Sequence, residues 1–362
     1  MAMIVKASVL RIGRKPPGPV CFALKCGREE YPTMAMRFAS DGLVWNEEAP
    51  PPMLAGFLDS VFRGVGQVML QNNSYAGLVF LAGIFWNSPL FACAALTGTV
   101  VSTATAMLLG VDRQLVRAGL FGFNGSLVAI GLLYFLRPDA LTWSCVVLAA
   151  ACSTIVMSAL IHLLATWKIA PLTAPFVFVA LCFFLAAARF GRLESTHLLP
   201  TAGLPKAVAV EGIVTASSVA EGLFNGIAQV FFQGNVVTGI IFVVGLLISS
   251  RVACAAALTG SMSGLLVAWG MGAAEPAIRS GAFGFNSVLA AIALGGVFFA
   301  LDAVSIAYAL LATIAAAFAF AAVSAALEPL GMPALTLPFV LVVWTFLFAG
   351  HHFPGLRTVQ SN

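Results

Sequence analysis

Charged side chains are scarce in this chain of 362 residues: only 9% are Asp, Glu, Lys or Arg. Soluble domains run nearer to one quarter, so water cannot be its main solvent. Other signatures are missing too. The seven cysteines (Cys21, Cys26, Cys93, Cys145, Cys152, Cys182 and Cys254) are scattered, and no pair has metal-finger spacing. They read as small lipid- or helix-facing side chains. There is no Walker A pattern and no nucleotide fingerprint, which argues against a primary pump. No run of acids and histidines forms a proton relay, and no nucleophile–base or metal constellation marks an enzyme. The expectation is no enzymatic activity, no cofactor, no metal and no nucleic-acid partner. Lys6 and Arg11 interrupt any early apolar region, so no secretory leader is read there.

What the chain has in excess is apolar surface: 60% hydrophobic residues and a mean hydropathy of +1.00. A membrane-spanning helix needs ~20 mostly apolar residues, and about ten such stretches follow one another. Residues 1–52 read as a polar extension, disordered or loosely helical, with Lys15-Pro16-Pro17-Gly18-Pro19 and Pro50-Pro51-Pro52 inside it. A first membrane unit is expected at 53–188, with spans at 53–71, 75–92, 93–110, 116–136, 141–165 and 171–188. A loop at 189–217 leads to a second unit at 218–350, with spans at 218–233, 236–249, 252–273, 280–300, 303–325 and 335–349; residues 351–362 form a tail. Several of these are too short to cross ~30 Å of hydrocarbon at 1.5 Å per residue. They are predicted to be half-helices or re-entrant segments, tolerated only where they line a cavity or are buried in protein.

Net charge is +4, and seven of the 18 basic residues precede Met53. That bias predicts a cytoplasmic N-terminus, while Arg189, Arg192 and Lys206 in the mid-chain loop pull the other way.

The two units repeat each other. Gly64-Val65-Gly66-Gln67-Val68-Met69-Leu70-Gln71-Asn72-Asn73 returns 162 residues later as Gly226-Ile227-Ala228-Gln229-Val230-Phe231-Phe232-Gln233-Gly234-Asn235. At the same spacing Asp59 matches Glu221, Ala94–Gly98 matches Ala256–Gly260, Arg117 matches Arg279, and Phe121–Asn124 matches Phe283–Asn286. One residue of slippage later, Thr173-Ala174-Pro175-Phe176 matches Thr336-Leu337-Pro338-Phe339. Apolar composition repeats Ala and Leu by itself; it does not repeat an acid, an Arg, two Gln and an Asn in register. Duplicated halves are a transporter design with the substrate path at their interface. Five full spans plus a half-span per unit make the repeats inverted. His162 lies in an apolar span, but its counterpart is Ser324, so no histidine pair faces itself across the interface.

Several repeated positions carry chemistry. A Gln in apolar surroundings needs partners or water, since burying an unpaired amide costs ~2 kcal/mol or more. Gln67 and Gln229 read either as interhelical amide bonds or, given their symmetry and flanking glycines, as pore lining. Thr173 and Thr336 each stand two residues before Pro, which is expected to kink the helix and free carbonyl oxygens one turn earlier, to be met either by the threonine hydroxyl or by a donor-rich solute. Phe123 and Leu127 share a helical face, as do Phe285 and Leu289, in core or as walls of a narrow slot. Asp59 and Glu221 sit early in their helices and read as carboxylates at helix N-termini, with a solute-attracting funnel as the other reading. Gly260 and Gly264, mirrored by Gly98 and Ser102, suggest close helix packing.

Taken together, the paired Gly-x-x-Gln segments, Leu120–Gly125 and the paired Thr-x-Pro-Phe motifs resemble the urea transporter family in its compact bacterial form. The resemblance runs from Met53 to about Phe348 and leaves 1–52 outside. It implies an all-α polytopic membrane protein of two inverted repeats in a plasma membrane (the bacterial inner membrane). It also implies a homotrimer with one pore per protomer and passive, channel-like passage of urea. By that resemblance Gln67 and Gln229 mark two end sites, Thr173 and Thr336 the middle, and Leu70, Val230, Phe232, Phe123, Phe285, Leu127 and Leu289 the slot walls. Some members carry Glu where Gln229 stands and Phe where Leu70 stands, so this path is neutral at one step and wider on one face. The rival reading is an ion- or proton-coupled secondary transporter of a small polar solute, with Asp59 and Glu221 as coupling acids.

Overall fold

The computed structural model describes residues 38–43, 53–205 and 210–359. The first unit contains α1 (Met53–Gln67), α2 (Ser74–Asn87), α3 (Pro89–Leu108), α4 (Arg113–Arg117), α5 (Phe123–Phe135), α6 (Ala140–Leu164) and α7 (Ala174–Ala187). The second repeats the order with α8 (Ala216–Ala228), α9 (Val236–Ser249), α10 (Arg251–Gly270), α11 (Glu275–Arg279), α12 (Phe285–Ile292), α13 (Ala303–Leu327) and α14 (Leu337–Gly350). Helices at Pro89–Leu108, Ala140–Trp167, Arg251–Gly270 and Ala303–Leu330 are long and apolar enough to cross a bilayer. The remaining apolar helices are shorter, and α8 with its continuation to Phe231 meets α9 at a 73° bend, the geometry of a broken or re-entrant span. The chain is an all-α polytopic membrane protein.

Matched caps start matched helices. Asn73 Oδ1 accepts from Ala76 N at 3.0 Å, and Asn235 Oδ1 from Thr238 N at 3.0 Å, opening α2 and α9. Ser88 and Ser250 cap α3 and α10, and Asp139 and Asp302 cap α6 and α13. Each side-chain oxygen satisfies an amide that the helix itself leaves unpaired.

The one-residue slippage of the repeat has a physical origin. Before it, Phe123 matches Phe285 as the first residue of α5 and α12. Beyond it, Leu136 bridges Ser195 while Phe299 bridges Thr358, so the spacing has grown by one. Between them α5 stays α-helical, whereas α12 runs into a π-helical stretch, Ala293–Val297, closed by Phe298 N donating to Ala293 O. One widened turn absorbs the extra residue without breaking the chain's path.

The repeat also extends past the boundaries expected at 188 and 350. Arg137 N bonds Glu194 O as Ala300 N bonds Arg357 O, and Thr196 N bonds Phe135 O as Val359 N bonds Phe298 O. Backbone groups at the ends of α5 and α12 are satisfied by these returning segments, which binds what composition suggests is loop and tail.

Most of the polar extension lies outside the described residues, but 38–43 departs from the disordered or helical expectation. β1 (Phe38–Ala39) and β2 (Gly42–Leu43) form a two-stranded antiparallel ribbon held on the first unit. Leu43 N donates to Asp59 Oδ1 at 2.9 Å, and Ser74 N donates to Asp41 O at 3.0 Å.

Candidate functional site

Two short helices, one from each half, meet at their N-termini. Thr173 and Thr336 are the N-cap residues of α7 and α14, and Pro175 and Pro338 follow in the first turn. The prolines therefore start helices, where a missing N–H is harmless, and do not kink them as the sequence suggested. A threonine at this position ordinarily spends its hydroxyl on the cap. Neither does so here. Instead the two hydroxyl oxygens lie 2.6 Å apart, joining the halves.

The cap is supplied from elsewhere. Asn124 Oδ1 in α5 accepts from Phe176 N at 3.1 Å, and Asn286 Oδ1 in α12 accepts from Phe339 N at 3.0 Å. Their amide groups donate to Leu172 O at 3.4 Å and Leu335 O at 3.3 Å. Each asparagine thus satisfies both a donor and an acceptor at the helix start and releases the threonine. Leu172 and Leu335 hold φ of 54° and 51°, a left-handed backbone that costs a non-glycine residue roughly 1 kcal/mol.

Gln67 and Gln229 lie in separate halves and do not meet. Each points its amide at the loop before the next core helix: Gln67 Nε2 donates to Ala118 O at 2.8 Å, and Gln229 Nε2 to Ser280 O at 3.3 Å. With the N–H₂ ends engaged, both Oε1 atoms face away as acceptors, and neither receives a hydrogen bond among the described residues. Gly119 and Gly281, next to those carbonyls, have φ of 73° and 74°, and a Cβ on either would collide with the backbone of α1 or α8. Only glycine allows that approach.

Beyond the glutamines the chain turns through Leu70 (φ 59°) and Phe232 (φ 60°). Gln71 N bonds Gly66 O while Leu70 N bonds Gln67 O, and Gln233 and Phe232 bond Ala228 and Gln229 likewise. This is a helix-terminating motif that normally takes glycine in the left-handed position. Leucine and phenylalanine there put a side chain where glycine would leave a gap. Phe232 packs edge-on against Phe176 at 6.1 Å and Phe135 at 6.0 Å, so a residue of the second half seats on α5 and α7 of the first.

Among the other sequence candidates Leu127, Leu289 and Val230 are fully buried, Phe123 is buried, and Phe285 is half-buried against Phe320 at 5.5 Å. The two acids diverge. Asp59 is buried and paired with Arg63 at 2.7 Å, whereas Glu221 is partly exposed and 3.7 Å from Arg279. Sequence reasoning quoted Asn124 and Asn286 inside a motif but missed their capping role, which depends on a contact about 50 residues away. It also missed Arg63, whose counterpart Asn225 is uncharged, because the comparison of halves rewards only matched residues.

A family model described as "Urea transporter" matches residues 58–351, which is most of the chain and includes every residue of this site. The chain belongs to the urea transporter family. Relatives named "Urea transporter 1" from Rattus norvegicus and Ovis aries are 32% and 33% identical over 309 residues, covering 84% of this chain and 80% of theirs. The counterpart from Capra hircus is 32% identical over the same length. Membership of the urea transporter family carries transport of urea across a membrane as the class of activity.

Proposed function

We propose that the chain passes urea passively, down its gradient, through a narrow path between the two halves. The carrying observation is the direct contact of Thr173 and Thr336, two hydroxyls released from capping and shared by both halves. In this reading Gln67 and Gln229 present their Oε1 atoms as acceptors at the two ends. Leu70, Val230, Phe232, Phe123, Phe285, Leu127 and Leu289 form flat apolar walls.

Urea is planar and neutral, with four N–H donors and one strong acceptor. Apolar walls reject hydrated ions, for which dehydration costs on the order of 20 kcal/mol in the idealised limit. Fixed oxygens replace the water lost by urea at only ~1 kcal/mol net per hydrogen bond, so binding stays weak enough for exit. Of the two threonine hydroxyls one donates to the other, which leaves one proton to meet the urea carbonyl. Coupling to protons is unsupported by the acids, since Asp59 is neutralised by Arg63 and Glu221 has a different environment. The proposal includes inverted halves, a homotrimer in a bacterial-type plasma membrane, and a cytoplasmic N-terminus.

The test is stopped-flow shrinkage of proteoliposomes in urea gradients. Flux is expected to be linear into the millimolar range and indifferent to uncouplers. Thr173→Val or Thr336→Val is expected to lower it roughly fivefold, the worth of one hydrogen bond. Flux that collapses with the proton gradient overturns the passive reading in favour of a coupled transporter.

A further inference from the structure

We infer that Tyr134 is a specificity-determining residue at the Phe232 end of the path, donating a hydrogen bond to the carbonyl oxygen of the passing solute. The inference rests on the reading of the chain as a urea path and adds a polar group to one end of it.

Helix α5 is enclosed on all sides: every residue from Phe123 to Leu133 is buried, and Tyr134 is the first to open partly to the outside. Its ring is fixed by aromatic neighbours, Phe232 at 5.4 Å, Phe135 at 4.9 Å and Phe91 at 5.9 Å. Its backbone carbonyl is satisfied by Thr196 Oγ1 at 2.9 Å. The phenolic hydroxyl, in contrast, makes no hydrogen bond among the described residues, and it is not among the fully buried atoms that lack a partner, so it keeps accessible surface beside Phe232. A buried tyrosine normally finds a partner for its O–H, so a rigidly held, unpartnered one beside a wall residue has its donor available. The same end of the path carries Gln229 Oε1 as an acceptor, so a donor there complements a molecule that has both N–H and C=O groups.

The feature is one-sided. Across the repeat, the position of Tyr134 falls on Gly296 or Val297, inside the π-helical stretch, and neither can donate from a side chain. The Leu70 end therefore lacks this donor at the matching position.

Tyr134→Phe keeps the ring and its three aromatic contacts and deletes only the hydroxyl. Permeability to urea and thiourea is measured in proteoliposomes for the native chain and the variant. The two solutes share N–H donors and shape, but the sulfur of thiourea is a weak acceptor. The expected result is a roughly fivefold fall in urea flux with thiourea flux nearly unchanged, so that the urea-to-thiourea ratio drops. A ratio that is unchanged or raised, including a parallel loss of both fluxes, overturns the inference. Retained thiourea flux shows that the variant is folded. Native chain that passes no urea overturns the urea path itself, which is a separate failure.

Discussion

Arg63 shows how much one unmatched residue can organise. Its guanidinium pairs with Asp59 at 2.7 Å, donates to Asn72 O and Oδ1 at 3.1 Å, and reaches Leu43 O at 3.4 Å and Asp41 at 3.7 Å. Asp59, Arg63 and Gln67 stand at successive helical turns on one face of α1, so this charged cluster lies about 6 Å along the axis from Gln67. Arg63→Ala leaves Asp59 buried without its cation and is expected to cost about 3 kcal/mol or more. A double Asp59→Asn, Arg63→Met chain is expected to recover most of that loss. Thermal unfolding in detergent checks both, and equal destabilisation of the single and double variants would contradict the account. At this scale repetition singled positions out without saying what each does. Gln67, Gln229, Thr173 and Thr336 announce themselves by repetition. The reading of Asp59 as a helix-terminal carboxylate failed because its true partners are Arg63, which has no charged counterpart, and a ribbon over 15 residues upstream.

Helix starts are the part of the architecture most readable from local sequence, because a cap needs only an oxygen within three residues of the amide it satisfies. Asp139 and Asp302 illustrate this at the heads of α6 and α13. Hydrogen bonds from backbone amides, Thr142 for Asp139 and Ser305 for Asp302, hold each carboxyl below its ordinary value of 3.8. The folded state thus prefers the ionised form, so the stabilisation is complete above the ordinary value and fades as pH falls through the lowered folded value. Asp139→Ala and Asp302→Ala are expected to lower the melting temperature at pH 7, with the difference from the native chain shrinking as the pH is taken below 4. A difference that persists unchanged at acid pH would show that packing, not the charged cap, is lost. What local sequence did not disclose at this level was the π-helical stretch at Ala293–Val297. It appears only as a shift in spacing between two repeats, and spacing alone does not say whether a loop or a helix takes up the residue. The start of α7 and α14 was likewise misread as a kink, since a cap supplied by Asn124 or Asn286 from another helix leaves no local mark.

The whole molecule is held together by contacts that cross between halves, and the crossing of α2 with α9 is the most symmetric of them. Phe80 lies over Gly245 and Phe242 over Gly83, each ring filling the space that a missing side chain leaves, with the two rings 5.4 Å apart and nearly perpendicular. Phe231 packs on both, at 5.9 Å and 5.2 Å. Polar links flank the crossing: Thr238 Oγ1 donates to Gly83 O at 3.1 Å, and Asn87 Nδ2 to Gln233 Oε1 at 2.8 Å. In lipid, apolar burial gives helices little reason to associate, so close approach at small residues and such polar links must do it. A Cβ on Gly245 would stand 2.5 Å from Phe80 Cε1, and Phe80 is fully buried among other rings and cannot swing aside. Gly245→Ala is therefore expected to destabilise the chain by about 1–3 kcal/mol through overpacking. Phe80→Ala alone leaves a cavity and is expected to cost about 3–5 kcal/mol. Combined, the two changes should cost less than their sum, because removing the ring removes the clash; a coupling of about 1 kcal/mol or more is expected. Simple additivity in detergent-unfolding measurements would mean that the helices slide to accept the methyl group. In that case the α2–α9 crossing would not be a rigid seam between the halves.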